Sequence, residues 1–151
     1  MRVTETGSRG VLRTLKALAG AAPKAVEAAL FEHGSQVEGD AKELAPVDTG
    51  DLRASGFTLT PSLQQIGSGA QPSGEARAMV HASPQEISAV VGFGGPSVEY
   101  ALIQHERTDF HHTVGQAKYL ETPAKARAPQ LPEVIAKHVR RAAERVSRGT
   151  A

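Results

Sequence analysis

Five side chains able to ligate a divalent cation fall within eight residues: His105, Glu106, Asp109, His111 and His112. Imidazole nitrogens and carboxylate oxygens are the usual ligands of zinc and related ions. His105-Glu106 also begins like the zinc-protease motif. That motif needs a second histidine four residues later, so that both rings share one helical face, and position 109 is Asp109. The stretch around Phe110 lacks helical periodicity as well. The expectation is that His105 and Glu106 make structural hydrogen bonds that pin the loop bearing His111 and His112, and that no metal or cofactor is bound. A metal-dependent hydrolase built on this cluster is one alternative. Asp48 and Asp51 form a second candidate, a carboxylate pair within Asp48-Thr49-Gly50, which spells the aspartic-protease triplet. That triplet belongs to a far larger bilobal enzyme, or to an obligate dimer whose hydrophobic flanks are absent here. With no cysteine and no serine in a G-x-S-x-G elbow, nucleophilic catalysis has no candidate. Gly92-Phe93-Gly94-Gly95 lacks dinucleotide-loop spacing and runs into Pro96, so it reads as a turn. A non-catalytic protein is expected.

The elements around these residues follow from pattern and punctuation. Val26, Leu30, His33, Val37, Ala41 and Leu44 recur at three-then-four spacing and predict an amphipathic helix, opened by Pro23 in its first turn. Gly34 and Gly39 each weaken it by about 1 kcal/mol relative to alanine, so it must pack on something. Pro46 ends it at Ala45. Asp48 and Thr49 can then cap the next helix, Gly50 tolerates positive φ, and Asp51 suits the first turn. Before Pro23, residues 11–19 predict a separate short helix and residues 1–10 a flexible arm. Strands are expected at 56–60, 76–82 and 86–93, with a mobile, Gly-, Ser- and Gln-rich loop at 62–75. A short helix over 98–106 and an irregular stretch over 107–117 lead to a closing segment that splits at Pro129 and restarts at Pro132. There Leu131, Val134, Ile135, His138, Val139, Ala142 and Val146 give one apolar stripe. The fold class is α+β, one domain over 11–148 with a tail at 149–151. A small antiparallel sheet of about three to four strands is packed by a long N-terminal and a C-terminal helix.

Composition narrows the partners. A net charge of +1 is too small for the whole surface to bind nucleic acid, and aromatics at 4% leave little for stacking bases. The basic side chains concentrate instead at Lys137, Arg140, Arg141, Arg145 and Arg148, against Glu144. Such a run is either a solvated face near a helix C-terminus or a surface for phosphates, and a nucleic-acid-binding module using this helix is the other alternative. No apolar run approaches the roughly 20 residues of a membrane span, and the first residues lack a signal-peptide layout, so no membrane and no standard secretion is expected. The lack of cysteine is compatible with a reducing cytoplasm.

Three stretches carry a resemblance. Ala45-Pro46-Val47-Asp48-Thr49-Gly50-Asp51-Leu52-Arg53-Ala54-Ser55 resembles an "APVDTG-x-L-R-x-S" segment. Val98 to Glu106 resembles a "Y-A-x-x-x-H-E" element. Gly115 to Pro123 resembles "G-x-x-K-Y-L-x-x-P". In this order and spacing they are similar to the neck, head–tail joining and tail-completion proteins of long-tailed bacteriophages, often labelled minor capsid proteins. The resemblance implies a ring-forming virion protein at the head–tail junction, assembled in the bacterial host cytoplasm, with a hexamer favoured. It implies a head-closure or connector protein on one side and a tail terminator or tail tube on the other. DNA would pass through the lumen without sequence recognition, where Lys137, Arg140, Arg141 and Arg145 could meet it. The block from Tyr100 through His105, Glu106, Phe110, His111, His112, Lys118, Tyr119 and Leu120 is expected to form a subunit or partner interface. For Tyr119 and Leu120 alone, a core role and an interface role remain equally open.

Overall fold

The computed structural model describes residues 6–47, 50–80, 82–83, 86–111 and 113–149. Its backbone is organised by one helix, α1 (Thr6–Leu44), 39 residues long. At 1.5 Å per residue it spans about 58 Å. The two helices expected on either side of Gly20 are therefore one, with Pro23 inside it. The helix also begins within the stretch read as an arm. A proline in a helix interior removes a backbone bond and usually breaks the helix. Here the exposed Pro23 turns its ring to solvent, while Ala21, Lys24, Ala25 and Ala28 lie along the final helix, which splints both sides of it.

The remaining elements are α2 (Asp51–Ala54), β1 (Gly56–Leu59), β2 (Gln64–Ile66), α3 (Gly74–Ala78), β3 (Ala82–Ser83), β4 (Glu86–Ile87), β5 (Val90–Phe93), α4 (Ala101–Glu106), α5 (Glu121–Arg127), a 3₁₀ turn (Ala128–Gln130) and α6 (Leu131–Gly149). The main sheet is antiparallel in the order β2-β1-β5, with Phe57 opposite both Ile66 and Gly92. β3 and β4 form a separate two-stranded ribbon. The α+β class, the small antiparallel sheet and the long N-terminal and C-terminal helices match the expectation, with α1 packed on the sheet and α6 on α1.

Two elements differ from it. The segment read as a strand at 76–82 forms α3 and only then the short β3. Its alternating pattern is outweighed by a helix start, because the Ser73 hydroxyl accepts from the Ala76 amide at 3.1 Å. The stretch expected as a loop at 62–75 carries β2. It is also tied down by Gly67 N–H to Gly56 O (2.9 Å), Gly69 N–H to Ala54 O (3.1 Å) and Gln71 N–H to Gly94 O (2.8 Å).

α1 is close-packed on the sheet. Central β1 is buried along its whole length. A Cβ on Gly34 would stand 2.9 Å from Thr58 Cγ2 and 3.1 Å from Val91 Cγ2, so glycine lets the helix backbone approach both strands. Beneath this contact lies a fully buried carboxylate. Thr58 Oγ1 donates to Glu38 Oε2 at 2.6 Å, and Lys42 Nζ stands 2.6 Å from Glu38 Oε1. Glu27, one long stretch earlier on α1, accepts from Thr60 Oγ1 (2.9 Å), Ser62 N–H (2.5 Å) and Ser62 Oγ (2.9 Å), fixing the β1–β2 turn.

α6 returns antiparallel along α1. His138 Nε2 meets Glu32 Oε2 at 2.7 Å, and further on Val146 comes level with Ala21. Small side chains make this contact close: Ala25, Ala29 and Ala142 are buried. Arg127 of α5 adds a fork onto α1, donating to Gln36 Oε1 (2.9 Å) and to Asp40, at 3.0 Å for its Nη2. That guanidinium holds the Asp40 carboxyl below its ordinary range. α1 before about Leu18 extends past the end of α6.

Candidate functional site

The three stretches that carry the resemblance meet in space. Ala45, Leu52, Val98, Ala101 and Tyr119 form one buried cluster, with Leu44, Phe93 and Leu120 packed against it. Backbone bonds lock the arrangement. Gln116 N–H reaches Leu44 O at 2.8 Å, Val47 N–H reaches Val114 O at 3.3 Å, and Lys118 N–H reaches His105 O at 2.8 Å. Arg53 clamps the end of α1, donating through Nη2 to Glu43 O at 3.1 Å and to Ala45 O at 3.2 Å. The turn into α2 passes through Gly50 at φ 90°, a left-handed conformation that glycine adopts without strain. Asp51 occupies the first helical turn. Asp48 and Thr49, the expected cap residues, lie outside the described residues, as does His112.

Tyr119 is buried within the subunit. It is only 2% exposed, its hydroxyl donates to Ala101 O at 3.1 Å, and its ring makes edge contacts with Phe93 (5.2 Å) and His105 (5.1 Å). Burial, with Tyr100 nearby, pushes its hydroxyl up to about 12. Tyr119 therefore fills the core of the single subunit, one of the two roles that its sequence left open. Leu120 packs against the same cluster and is half-buried.

The histidine–carboxylate stretch resolves into pairings. His105 Nδ1 lies 2.7 Å from Glu106 Oε1, and its Nε2 accepts weakly from the Glu121 amide at 3.4 Å. Glu106 Oε2 takes Lys118 Nζ at 2.5 Å, which closes the loop between α4 and Lys118. Lys118, then His105, hold the Glu106 carboxyl below its ordinary range. Lys118 itself sits at φ 56°, an uncommon conformation for a side chain larger than glycine, and also pairs with Glu121 at 3.3 Å. Asp109 is taken by Arg107 at 2.5 Å, and the Arg107 guanidinium lies 4.4 Å from the centre of the Phe110 ring. Among the described residues no group of three or more histidines and carboxylates converges as a metal site would require.

What the cluster presents outward is an open groove of about 480 Å³. Pro46, Val47, Gly50, Asp51 and Leu52 form one wall, Ser97, Tyr100 and Gln104 another, and His111, Thr113 and Val114 the third. Its lining is mixed, with Asp51, Ser97, Gln104, His111 and Thr113 beside Val47, Leu52, Tyr100 and Val114; Val47, Tyr100 and Val114 reach solvent, as do Phe110 and, on α4, Leu102 and Ile103, which are 70% and 52% exposed. Contiguous exposed apolar side chains mark interaction surfaces. Sequence reasoning named Tyr100, Phe110 and His111 but missed Val47, Leu102, Ile103 and Val114. Leu102 and Ile103 stand beside buried Ala101 on a helix of six residues, too short for periodicity to separate inner from outer face.

On α6, Lys137, Arg140, Arg141 and Arg145 are exposed, and Lys137 Nζ stands 3.5 Å from Glu32 Oε1. No helix among the described residues is long and apolar enough to cross a membrane.

Residues 9–58 match the family model described as "Bacteriophage HK97-gp10, putative tail-component". The matched part comprises most of α1, the Pro46–Ser55 turn with α2, and the start of β1, so it includes the first of the three resembling stretches and one wall of the groove. Neither the curated proteins nor the solved structures give a match.

Proposed function

We propose that this chain is a structural, non-catalytic virion protein of a tailed phage or prophage. In this reading it is a ring-forming component of the neck that joins head to tail or completes the tail. The observation that carries it is the match over residues 9–58 to a phage tail-component family, in a chain whose matched turn builds one wall of an open groove with exposed Val47, Tyr100 and Val114 in its lining. The groove suits contact chemistry. Close in sequence to its lining, His105 and Glu106 are engaged with each other, Glu106 with Lys118 and Asp109 with Arg107, leaving walls that can exclude water against a partner. Many such contacts, repeated around a closed ring, give a strong assembly without catalysis. The partners are further copies of the chain, six in the favoured arrangement, a head-closure or connector ring above, and a tail terminator or tube below. DNA crosses the lumen without sequence reading, and Arg140, Arg141 and Arg145 are the side chains placed to meet its phosphates.

The test is genetic and visual. Disrupting the gene in the phage or prophage that carries it should yield filled heads and free tails as separate particles in electron micrographs. Complementation with the intact gene should restore joined virions, and complementation with Leu102→Asp should not. Normal virions from the disrupted strain would overturn the reading.

A further inference from the structure

A net charge of only +1 conceals an uneven distribution. Residues 9–24 of α1 and 140–149 of α6 hold eight of the 17 lysines and arginines and one of the 16 acidic side chains, Glu144, so the rest of the chain is net acidic. Because α6 returns antiparallel along α1, these two stretches lie at the same end of the molecule. On α1, Arg13 and Lys16 are three residues apart, and Lys24 lies eleven residues past Arg13, close to three full turns, so the three share a face. On α6, Arg141, Arg145 and Arg148 recur at four-then-three spacing and share another. The two faces join at a hollow of about 240 Å³ whose polar lining is Lys24, Arg145 and His138, among alanines and Val146. All six cations are exposed. Arg148 stands 3.8 Å from Glu144, while Arg13, Lys16, Lys24, Arg141 and Arg145 have no ion pair among the described residues. Glu27, eleven residues past Lys16 on the same face, is taken by Thr60 and Ser62 and ends the stripe.

We propose that this two-helix surface binds the phosphate backbone of duplex DNA, and that Arg13, Lys16 and Lys24 of α1 take part in it alongside Arg141, Arg145 and Arg148 of α6. Arg13 to Lys24 covers about 16 Å of helix, roughly the rise of five base pairs, so a single subunit reaches several phosphates. Long exposed cations of this kind position a duplex by its charge and read no sequence. An anionic lipid surface fits the geometry less well. Val11 and Leu15 are exposed across α1 from Arg13, so a bilayer that took up these apolar side chains would leave that cation facing water. The inference rests on the reading above that DNA passes this protein, and it adds α1 to the side chains that meet it.

The test is fluorescence anisotropy of the intact chain with labelled duplex DNA, at salt concentrations from about 50 to 200 mM. Two duplexes of unrelated sequence should bind alike, and affinity should fall steeply with salt. Arg13→Gln, Lys16→Gln and Lys24→Gln together should flatten the slope of log affinity against log salt by about 2–3, and Arg141→Gln with Arg145→Gln by about 2, with melting temperatures unchanged. No binding at the lowest salt would overturn the proposal, as would a slope unchanged in the α1 variant. Binding to phosphatidylglycerol vesicles that is lost in Leu15→Asp, with no binding to DNA, would assign the start of α1 to a lipid surface and overturn it as well. Salt-dependent DNA binding by a chain whose gene disruption leaves normal virions would uphold this surface and sink the neck reading. Unjoined heads and tails from the disrupted strain, with no DNA binding by the chain, would do the reverse.

Discussion

Tyr119 and Phe110 stand nine residues apart in the sequence, one buried and the other exposed. Truncating Tyr119 to alanine empties the centre of the cluster and should cost about 3–5 kcal/mol. Tyr119→Phe keeps the volume but strands Ala101 O, for about 1 kcal/mol. Phe110→Ala should cost about 1 kcal/mol or less, since the ring is exposed and its contacts, the one with Arg107 among them, lie at the surface. Urea denaturation of the three variants would check the order. A second residue-scale prediction concerns acid. His33 is buried on α1, and burial, reinforced by nearby Arg127, lowers its pKa below the ordinary value. The unfolded chain therefore binds a proton that the folded chain refuses, and stability falls as pH drops below about 6.5. His33→Leu should flatten that part of the stability–pH curve measured by thermal melts. Little of this was legible from residue types. Lys118-Tyr119-Leu120-Glu121 is as consistent with a core as with an interface until its neighbours are known. His33 did announce itself, as a member of the helical stripe.

At the scale of elements, Gly34 and Gly39 of α1 separate cleanly. Gly34 abuts Thr58 and Val91, whereas an added Cβ on Gly39 meets nothing within 4 Å. Gly39→Ala should stabilise by about 1 kcal/mol, the usual helix-propensity gain. Gly34→Ala should destabilise despite the same propensity change, because close-packed side chains on two strands must shift. Paired thermal melts would show the opposite signs. For residues 62–75, hydrogen exchange on the free subunit should find Gly67, Gly69 and Gln71 protected relative to Ser68 and Ser73, following their backbone bonds. The stripes of α1 and α6 and the break around Pro129 were readable because helical periodicity needs only local sequence. The joining of α1 across Pro23 was not, since it depends on α6 lying alongside. Neither was Glu27's hold on the β1–β2 turn, which links residues more than thirty apart. α3 could have been found from Ser73, whose hydroxyl is an ordinary helix cap.

For the whole molecule, the exposed arginines of α6 offer a test separate from folding. Arg140, Arg141 and Arg145 changed together to glutamate should leave the melting temperature nearly unchanged, as expected for exposed positions away from the core. Heads and tails should still join, while DNA release from purified virions slows. Joined particles with normal release would remove these side chains from the DNA path. The site at this scale was half legible. Three sequence words in order pointed to one family, but only the fold shows that they share a core and leave a groove between them.

The pairing of α1 with α6 also sets the timing of synthesis. α1 leaves the ribosome first, and its buried face stays uncovered until α6 follows about a hundred residues later. At 5–20 residues per second that wait lasts roughly 5–20 s. A face of large aliphatic side chains would be prone to aggregate over such a delay. The positions that finally meet α6 are largely small, including Ala25, Ala28 and Ala29, with Ala142 opposite. The alanine seam thus leaves less apolar area uncovered during that delay, and correspondingly less buried in the finished fold. Leucines placed at Ala25 and Ala29 should lower the soluble yield during expression even where the mature seam could be repacked to accept them.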